Sequence, residues 1–531
     1  MKRVVLFVLL CVFLCFAQNG IITRAGYTTY DWQFGGPTYT WCRTDPMVNG
    51  VHVYWMWSNF NPGVDRNQRY NFYDYNTHTF LWTDGINVFT QRSGYGNIDL
   101  DPQVGDVVFS THQGSSGALR PVVSRKDSSM SVGPLNFQWP PIAVSYNRAV
   151  HCAMMSCIDL DSLWYARIEP WPSWTTPIRI CPPAPSPMYP SHNIAASKIS
   201  NKVVVLWETY EGQGQERAFF RLSNNGGLTW QAPTQLSFPP AQGMIPSFHV
   251  SSLYAMFDNQ DNLHIVASVA DSGHITPAGI WHWCPVNNPQ WSCIYYYQTG
   301  LHSGTSVGYN ALMATRPSIV QAPNTGYFYV AWEQFDSLNY EPTTNLLRAD
   351  IWIAESPDNG MTWQHHQRIT TPNTTSKRYP CVGGVDRDTL SVAYLIDSIA
   401  GFELYGQGRV TLNPVAIQRI KVPLPFAGEE ERLTLNAAHF TPEIYPNPAR
   451  TYFAVRLPQS ACRRQSGFGT SATDRSHIKI FDVMGKVVKE IATPSARNDN
   501  TVRVSLDGIK NGVYFVQVGN EMVKEKLVVT K

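Results

Sequence analysis

Three arginines and two glutamates of this chain stand at recurrent places where they could act on an anionic group. Arg120, Arg316 and Arg378 lie at or beside a proline that opens a predicted strand, in RPVV, RPSI and RYP. Glu208 and Glu333 close predicted strands in LWE and AWE. A guanidinium group holds a carboxylate well, and a glutamate can act as an acid or a base. The same residues can also pair with each other structurally, and we expect that role to be the commoner one.

Signatures of other catalytic chemistry are missing from the sequence. It contains no G-x-S-x-G, HExxH, phosphate-binding loop or dinucleotide fingerprint, and no Cys/His spacing typical of zinc. We therefore expect neither a cofactor nor a metal. In an exported chain the close pairs Cys152/Cys157 and Cys284/Cys293 could bridge hairpins, or they could remain buried thiols.

Composition excludes some partners. The 531 residues carry a net charge of +2 and only 15% of them are charged, so no strong field attracts nucleic acid. The aromatic fraction of 13%, with 37 glycines and 37 prolines, is typical of many short strands and turns.

The N-terminus, MKRVVLFVLLCVFLCFAQNG, has the pattern of a secretory signal peptide. Lys2 and Arg3 precede an apolar run that is short for a membrane span. We predict that residues 1–17 are a signal peptide and that the mature chain has no transmembrane segment.

A strand pattern recurs between about residues 50 and 400. Seven apolar segments are expected to be second strands: VHVYWMW from Val51, DVVFSTH from Asp106, AVHCAMM from Ala149, KVVVLWE from Lys202, NLHIVASV from Asn262, YFYVAWE from Tyr327 and TLSVAYL from Thr389. Most follow an earlier strand that begins near a proline, as in WPPIAV and RPSIV. This repetition predicts an all-β fold, a β-propeller over residues 18–424 with six or seven blades, seven being preferred.

Two polar turns in this region share one frame, SNNGGLTW and SPDNGMTW. The shared positions are Ser223, Asn225, Gly227 and Trp230 in the first copy and Ser356, Asp358, Gly360 and Trp363 in the second. The Asn or Asp oxygen can accept N–H groups of its own turn, and glycine tolerates positive φ. We expect the tryptophans, with divergent copies at Trp174 and Trp291, to pack between neighbouring sheets.

These turns resemble the Asp-box of sialidase-like, BNR-repeat β-propellers. The resemblance implies a structural turn on the outer rim, away from the ring axis. In sialidases an arginine triad, an acid and a Tyr–Glu pair act on the substrate; the candidates for such roles here are Arg120, Arg316, Arg378, Glu208 and Glu333. RPVV and RPSI differ in order from the family's Arg-Ile-Pro element, and no full catalytic set can be assembled.

Composition changes after about residue 424. Residues 425–441 are charged and irregular, which predicts a linker, and residues 442–531 alternate like strands joined by turns. The pattern predicts a small antiparallel β-sandwich after the propeller.

This last block resembles the C-terminal sorting domain of type IX secretion substrates. The matching residues are Tyr445, Pro446, Asn447, Pro448, Asp482, Gly485, Gly512, Tyr514 and Lys531. An insertion at 459–477 departs from the family pattern. The resemblance implies the type IX machinery as a partner, passage through the periplasm, and an extracellular or outer cell-surface location.

The sequence thus predicts a secreted propeller that binds a glycan or a protein where loops converge on one face of the ring. One alternative is a sialidase-like exo-glycoside hydrolase, and another is a structural surface protein. The polar aromatic stretch at 63–80 could form a ledge for sugars, although packing explains it more simply.

Overall fold

A computed structural model describes residues 20–33, 40–45, 47, 49–60, 64–115, 117–158, 162–181, 191–210, 216–238, 248–271, 276–297, 307–308, 311–424, 443–445, 448–456, 477–482, 486–492, 501–518 and 524–530. The chain divides into two compact units, Met1–Pro425 and Phe426–Lys531. The predicted signal peptide and linker lie outside the described residues, so those boundaries stay predictions.

The described part of the first unit is built of short strands. In chain order they are β1 Ile21–Thr28, β2 Cys42–Asp45, β3 Gly50–Trp57, β4 Asn67–Asp74, β5 Thr79–Phe80, β6 Ile86–Asn87, β7 Ser93–Leu100, β8 Val107–Gln113, β9 Arg120–Arg125, β10 Met130–Val132, β11 Phe137–Gln138, β12 Ile142–Val144, β13 Val150–Ser156, β14 Leu163–Ile168, β15 Ile178–Arg179, β16 His192–Ala196, β17 Val203–Tyr210, β18 Glu216–Ser223, β19 Thr234–Leu236, β20 Phe248–Phe257, β21 Leu263–Asp271, β22 Ala278–Trp283, β23 Trp291–Tyr297, β24 Ala314–Gln321, β25 Phe328–Tyr340, β26 Leu347–Ser356, β27 Gln364–Arg368, β28 Ser376–Asp386, β29 Thr389–Asp397 and β30 Asn413–Lys421. A single 3₁₀ turn, Glu403–Tyr405, lies between β29 and β30 in this part of the chain.

These strands form seven antiparallel sheets of four or five strands. We number the sheets along the chain: sheet 1 holds β2–β6, sheet 2 β7–β10, sheet 3 β11–β15, sheet 4 β16–β19, sheet 5 β20–β23, sheet 6 β24–β27, and sheet 7 β28–β30 with β1. Each of the seven segments expected to be a second strand is the second strand of one sheet, from β3 to β29.

The first strands of the seven sheets form a closed ring. Contacts run from β2 to β7, β12, β16, β20, β24 and β28, and β28 contacts β2 again. Sheet 7 is completed by β1, which pairs with β30, so the start of the chain closes the ring. A ring of four-stranded antiparallel sheets is a β-propeller, and the all-β propeller prediction is confirmed.

Buried apolar clusters fill the spaces between adjacent sheets. One contains Val266 of sheet 5 with Trp332 of sheet 6, and another contains Val53 of sheet 1 with Ile417 of sheet 7. Because each sheet is covered on both faces by its neighbours, strands such as VHVYWMW are buried almost throughout and do not alternate between apolar and polar residues.

The two polar turns adopt the same hydrogen bonds. In the second, Ser356 Oγ donates to Asp358 Oδ1 over 2.9 Å, and Gly360 N donates to Ser356 Oγ over 2.8 Å. Thr362 N donates to Asp358 Oδ1 over 2.8 Å. In the first, the corresponding bonds of Ser223, Asn225, Gly227 and Thr229 are 3.0, 2.8 and 2.9 Å long.

The second unit is a two-sheet sandwich in its described residues. Its strands are β31 Glu443–Tyr445, β32 Tyr452–Arg456, β33 His477–Phe481, β34 Val487–Ala492, β35 Thr501–Ser505, β36 Gly512–Val518 and β37 Lys524–Val529. The sheet orders are β31-β32-β35 and β34-β33-β36-β37. Phe453 of one sheet and Ile480 of the other share a buried core, as the predicted sandwich requires.

Of the residues that resemble the sorting motif, Gly512 begins β36, and Tyr514 Oη donates to the Lys510 carbonyl over 3.0 Å. Asp482 Oδ1 accepts the Lys486 N–H over 2.9 Å at the β33–β34 turn. Tyr445 ends β31, and Pro448 precedes the bridge of Ala449 to β37. The other motif residues, Pro446, Asn447, Gly485 and Lys531, lie outside the described residues.

Neither hairpin disulfide forms in this structure, since Cys152, Cys157, Cys284 and Cys293 are free thiols. Cys284 instead lies beside the imidazole of His264, 3.8 Å from its Nε2. No helix in the described residues has the length and apolar character needed to span a membrane.

Candidate functional site

The alternating strand directions gather particular chain segments at one end of the ring. First and third strands begin there, and second and fourth strands end there; we call this the upper end. The arginine and glutamate candidates belong to these segments. Arg316 and Arg378 lie near the starts of β24 and β28, and Arg120 is the first residue of β9. Glu208 lies near the end of β17, and Glu333 lies in the middle of β25.

Several first strands are irregular at the upper end. Ladder pairing shifts between Gly94 and Asn97 in β7, and β11 and β12 pair separately with β13. The residues at these irregularities, Tyr95 and Trp139, have φ values of 51° and 49°. Positive φ is costly for aromatic residues, and bulges commonly redirect a side chain beside a functional site.

Five residues from four sheets meet here, and we call them the Arg66 cluster: Tyr30, Arg66, Tyr95, His112 and Trp139. The hydroxyls of Tyr30 and Tyr95 lie 2.8 Å apart, and Arg66 Nη1 donates to Tyr30 Oη over 3.4 Å. The Arg66 guanidinium lies 5.3 Å from the centre of the Tyr95 ring, which is a cation–π distance. The rings of Tyr95 and Trp139 are perpendicular, with centres 6.2 Å apart.

His112 forms the floor of the cluster. Only 2% of its surface is exposed. Burial, together with the charges of Arg66 and Arg92, holds the pKa of His112 well below its usual value, so the imidazole is neutral. Its Nε2 lies 3.2 Å from Arg66 Nη2 and its Nδ1 lies 3.3 Å from the Trp139 N–H. A neutral imidazole has one acceptor nitrogen, so only one of these two N–H donors can be satisfied.

The upper part of the cluster is open to solvent. Arg66, Tyr95 and Trp139 are half-buried, whereas Tyr30 beneath them is buried. The cluster therefore offers two aromatic rings, hydroxyls and a guanidinium to a ligand, with a rigid buried base.

Arg316 and Arg378 meet elsewhere at the upper end, on Glu333. Arg316 Nη1 donates to Glu333 Oε1, and Arg378 Nε donates to the same oxygen over 3.3 Å. Glu333 Oε2 accepts the backbone N–H of Tyr379 over 2.8 Å. We call Arg316, Glu333, Arg378 and Tyr379 the Glu333 network; Glu333 and Arg378 are fully buried.

The remaining candidates are not brought to this network. Arg120 is exposed in sheet 2, opposite Gln113, and Glu208 is buried in sheet 4, where its N–H donates to the Ser191 carbonyl over 3.0 Å. The three arginines therefore do not converge as a triad. The two that meet, Arg316 and Arg378, share the carboxylate of Glu333.

Sequence reasoning missed the Arg66 cluster. Arg66 lies in the stretch 63–80, for which the sequence favours packing over a ledge for sugars. His112 lies near the end of β8 and Trp139 lies between β11 and β12, and the strand pattern does not single out either residue. Residues of that stretch form β4, where Tyr73 is buried and Tyr70 contacts His52 over 2.8 Å. The signal in the sequence is the Trp-Pro-Pro that directly precedes β12, because it places a large aromatic residue just before an inner strand.

A cavity of about 690 Å³ lies between two other upper-end connections. It is lined by Thr343–Leu346, between β25 and β26, and by Gly406–Arg409, between β29 and β30. No group of three or more His, Cys, Asp and Glu residues suited to a metal ion occurs in the described parts of the chain.

Residues 443–530 match the family of secretion system C-terminal sorting domains. This match covers the second unit's strands β31 to β37. The protein is thus an exported β-propeller that carries a type IX sorting domain, which directs it to the cell surface or the extracellular space and engages the secretion machinery.

Solved structures similar to this chain include enzymes that act on carbohydrates. A polysaccharide lyase, PL25 ulvan lyase, has 10% identity and a TM-score of 0.49, with 75% of this chain and 96% of the lyase covered. The NanB sialidase from Streptococcus pneumoniae has 10% identity and a TM-score of 0.37, with 76% of this chain and 71% of the sialidase covered. Comparison with curated proteins gave no match.

Proposed function

We propose that this exported propeller binds a glycan at the upper end of its ring, with the Arg66 cluster as the binding surface. The observation that carries the proposal is the pair of bulged aromatic residues, Tyr95 and Trp139, held at positive φ beside a guanidinium. Apolar faces of sugar rings pack on aromatic rings, while hydroxyls and N–H groups fix their orientation.

The cluster suits binding better than hydrolysis. Glycosidases use a pair of carboxyl groups flanking the scissile bond, or a tyrosine nucleophile assisted by a carboxylate. None of the five residues of the cluster carries a carboxyl group. Glu333 does, but two arginines and a backbone N–H hold it in the Glu333 network. Binding rather than hydrolysis is therefore the activity that these side chains support.

A glycan array followed by titration calorimetry tests the proposal on the full exported chain. We expect Trp139→Ala to weaken binding of an array-selected glycan about 10-fold, since one stacking surface is lost. Fluorogenic sialosides and other glycosides are measured in parallel, and we expect no turnover.

Trp171→Ala is the matched control. Trp171 is also half-buried, but it follows β14 at the opposite end of the ring and packs against the Arg125 guanidinium at 4.5 Å. We expect it to leave glycan affinity unchanged. Failure of every glycan to bind, or equal affinities of Trp139→Ala and the unmodified protein, would exclude the cluster as a glycan site.

A further inference from the structure

We infer that the glycan bound at the Arg66 cluster is anionic, and that Arg66 receives its carboxylate or sulfate group. The inference rests on the proposed function and specifies the class of ligand.

Arg66 differs in its partners from the arginines that form ion pairs elsewhere in the propeller. Arg43 pairs with Asp99 over 3.3 Å, Arg148 with Asp101 over 2.7 Å and Arg348 with Glu341 over 2.5 Å. Arg316 pairs with Glu333. In the described residues, Arg66 has no carboxylate within ion-pair distance: its polar neighbours are Tyr30 and His112, and its Nε is buried without a hydrogen-bond partner.

The adjacent carboxylates are engaged elsewhere. Asp65 directs its oxygens to Ser58 and to the backbone N–H groups of Asn59 and Phe60, both at 3.1 Å. Asp31 Oδ2 accepts the Glu403 N–H over 2.7 Å. A half-buried guanidinium thus faces the open cluster without a counter-charge from these two residues.

A second positive charge reinforces this local field. Arg92 is largely exposed, and its partial loss of solvent contact together with the positive charge of Arg66 lowers its pKa below the usual value. Two guanidinium groups close enough to interact in this way repel each other, and an anion bound to Arg66 reduces that repulsion. This positive field is local, because the whole chain has a net charge of only +2.

His112 makes Arg66 available to a ligand. Both imidazole nitrogens face N–H donors, although a neutral ring accepts only one hydrogen bond. When His112 Nδ1 accepts the hydrogen bond from the Trp139 N–H, Nε2 carries the ring proton and cannot accept a hydrogen bond from Arg66. Arg66 therefore gives up little hydrogen bonding when it turns toward a ligand oxygen. A carboxylate or sulfate oxygen would give Arg66 the charge-assisted bonds that it lacks in the protein.

Titration calorimetry with matched glycans tests the inference on the full exported chain. One pair is oligogalacturonate and its carboxyl-reduced counterpart, and the other is a sulfated galactan and its desulfated counterpart. We expect at least one anionic member to bind about 10-fold or more tightly than its neutral counterpart, as one desolvated charge-assisted contact provides. The pair that shows the preference identifies the group as a carboxylate or a sulfate.

Three variants assign that preference to Arg66. We expect Arg66→Gln to bring the ratio of anionic to neutral affinity close to one and Arg66→Lys to retain part of it. Arg409→Gln, which removes an exposed arginine at the other cavity, should keep the full ratio. Thermal unfolding of each variant verifies that it is folded.

The outcomes separate the inference from the proposed function. Equal binding of anionic and neutral glycans, or a preference that survives Arg66→Gln, overturns the anionic ligand while glycan binding stands. Absence of binding by all four glycans and by the array overturns both.

Discussion

The indole ring of Trp363 packs against the imidazole of His282, which belongs to the preceding sheet; the ring centres are 5.5 Å apart and the planes are inclined at 67°. The first polar turn repeats this arrangement, with Trp230 packing at 4.8 Å on Tyr165 of the sheet before it. Trp291 likewise packs on Phe238, which follows the last strand of sheet 4, with the ring centres 4.9 Å apart. Each indole therefore joins its own sheet to the previous one, and this packing supports the ring whose upper end carries the Arg66 cluster.

Gly360 lies in the same turn as Trp363, and we expect the stability of the propeller to depend on it. Gly360 has φ of 76°, and a Cβ there would lie 2.2 Å from His282 Cε1. We predict that Gly360→Ala lowers the free energy of unfolding by about 2–5 kcal/mol, through positive φ and overpacking together.

Gly406→Ala is the control for the backbone contribution. Its φ is 69°, but a Cβ would meet nothing within 4 Å. We expect a loss of only about 1–2 kcal/mol in urea unfolding. Equal losses for the two variants would show that contact with His282 does not restrict the turn.

The Glu333 network should be structural. Glu333→Gln removes the negative charge shared by Arg316 and the fully buried Arg378. We predict a loss of about 3–5 kcal/mol in the free energy of unfolding, because breaking a buried ion pair leaves a charge uncompensated. Arg120→Gln, at an exposed position, should change it by less than about 0.5 kcal/mol. A Glu333→Gln protein as stable as the unmodified chain would argue that the carboxylate is reserved for a ligand.

Asp31 should make stability depend on pH. Burial raises the pKa of this carboxyl to about 6, despite the hydrogen bond from the Glu403 backbone. Because the folded state binds the proton more tightly, the stabilisation is complete below about pH 4 and is lost as pH rises through about 6.

Asp31→Asn keeps an oxygen acceptor for Glu403 and removes the buried charge. We predict that it stabilises the protein by about 1–3 kcal/mol at pH 8 and has little effect at pH 4. Asp388→Asn, which alters an exposed carboxylate paired with Lys421 at 2.7 Å, should give no such gain at pH 8. Thermal unfolding at both pH values measures the difference, and an Asp31→Asn effect independent of pH would refute the assignment.

Much of the fold is predictable because its determinants are local. The frames from Ser223 to Trp230 and from Ser356 to Trp363 specify their turns through hydrogen bonds between near neighbours. Apolar second strands repeat because every sheet is covered on both faces. The closure by β1 was not predicted, since the pairing of Ile21 with Arg419 joins the two ends of the propeller sequence.

The candidate site depends on distant residues, and this is why sequence patterns did not reveal it. Tyr30 follows the strand that completes sheet 7, whereas Trp139 lies between β11 and β12 of sheet 3. They become neighbours of Arg66 and Tyr95 only when the ring closes and first strands bulge at positive φ. The positions of Arg316 and Arg378 near a proline can be recognised in the sequence, but their shared partner Glu333 determines their role.

The most direct test of the account is a crystal structure of the exported chain with its tightest-binding glycan from the array. We predict a sugar ring packed on Tyr95 and Trp139, with an anionic substituent in contact with Arg66. A glycan seated instead in the cavity beside Arg409, or at the opposite end of the ring, would contradict the assignment of the Arg66 cluster as the binding site.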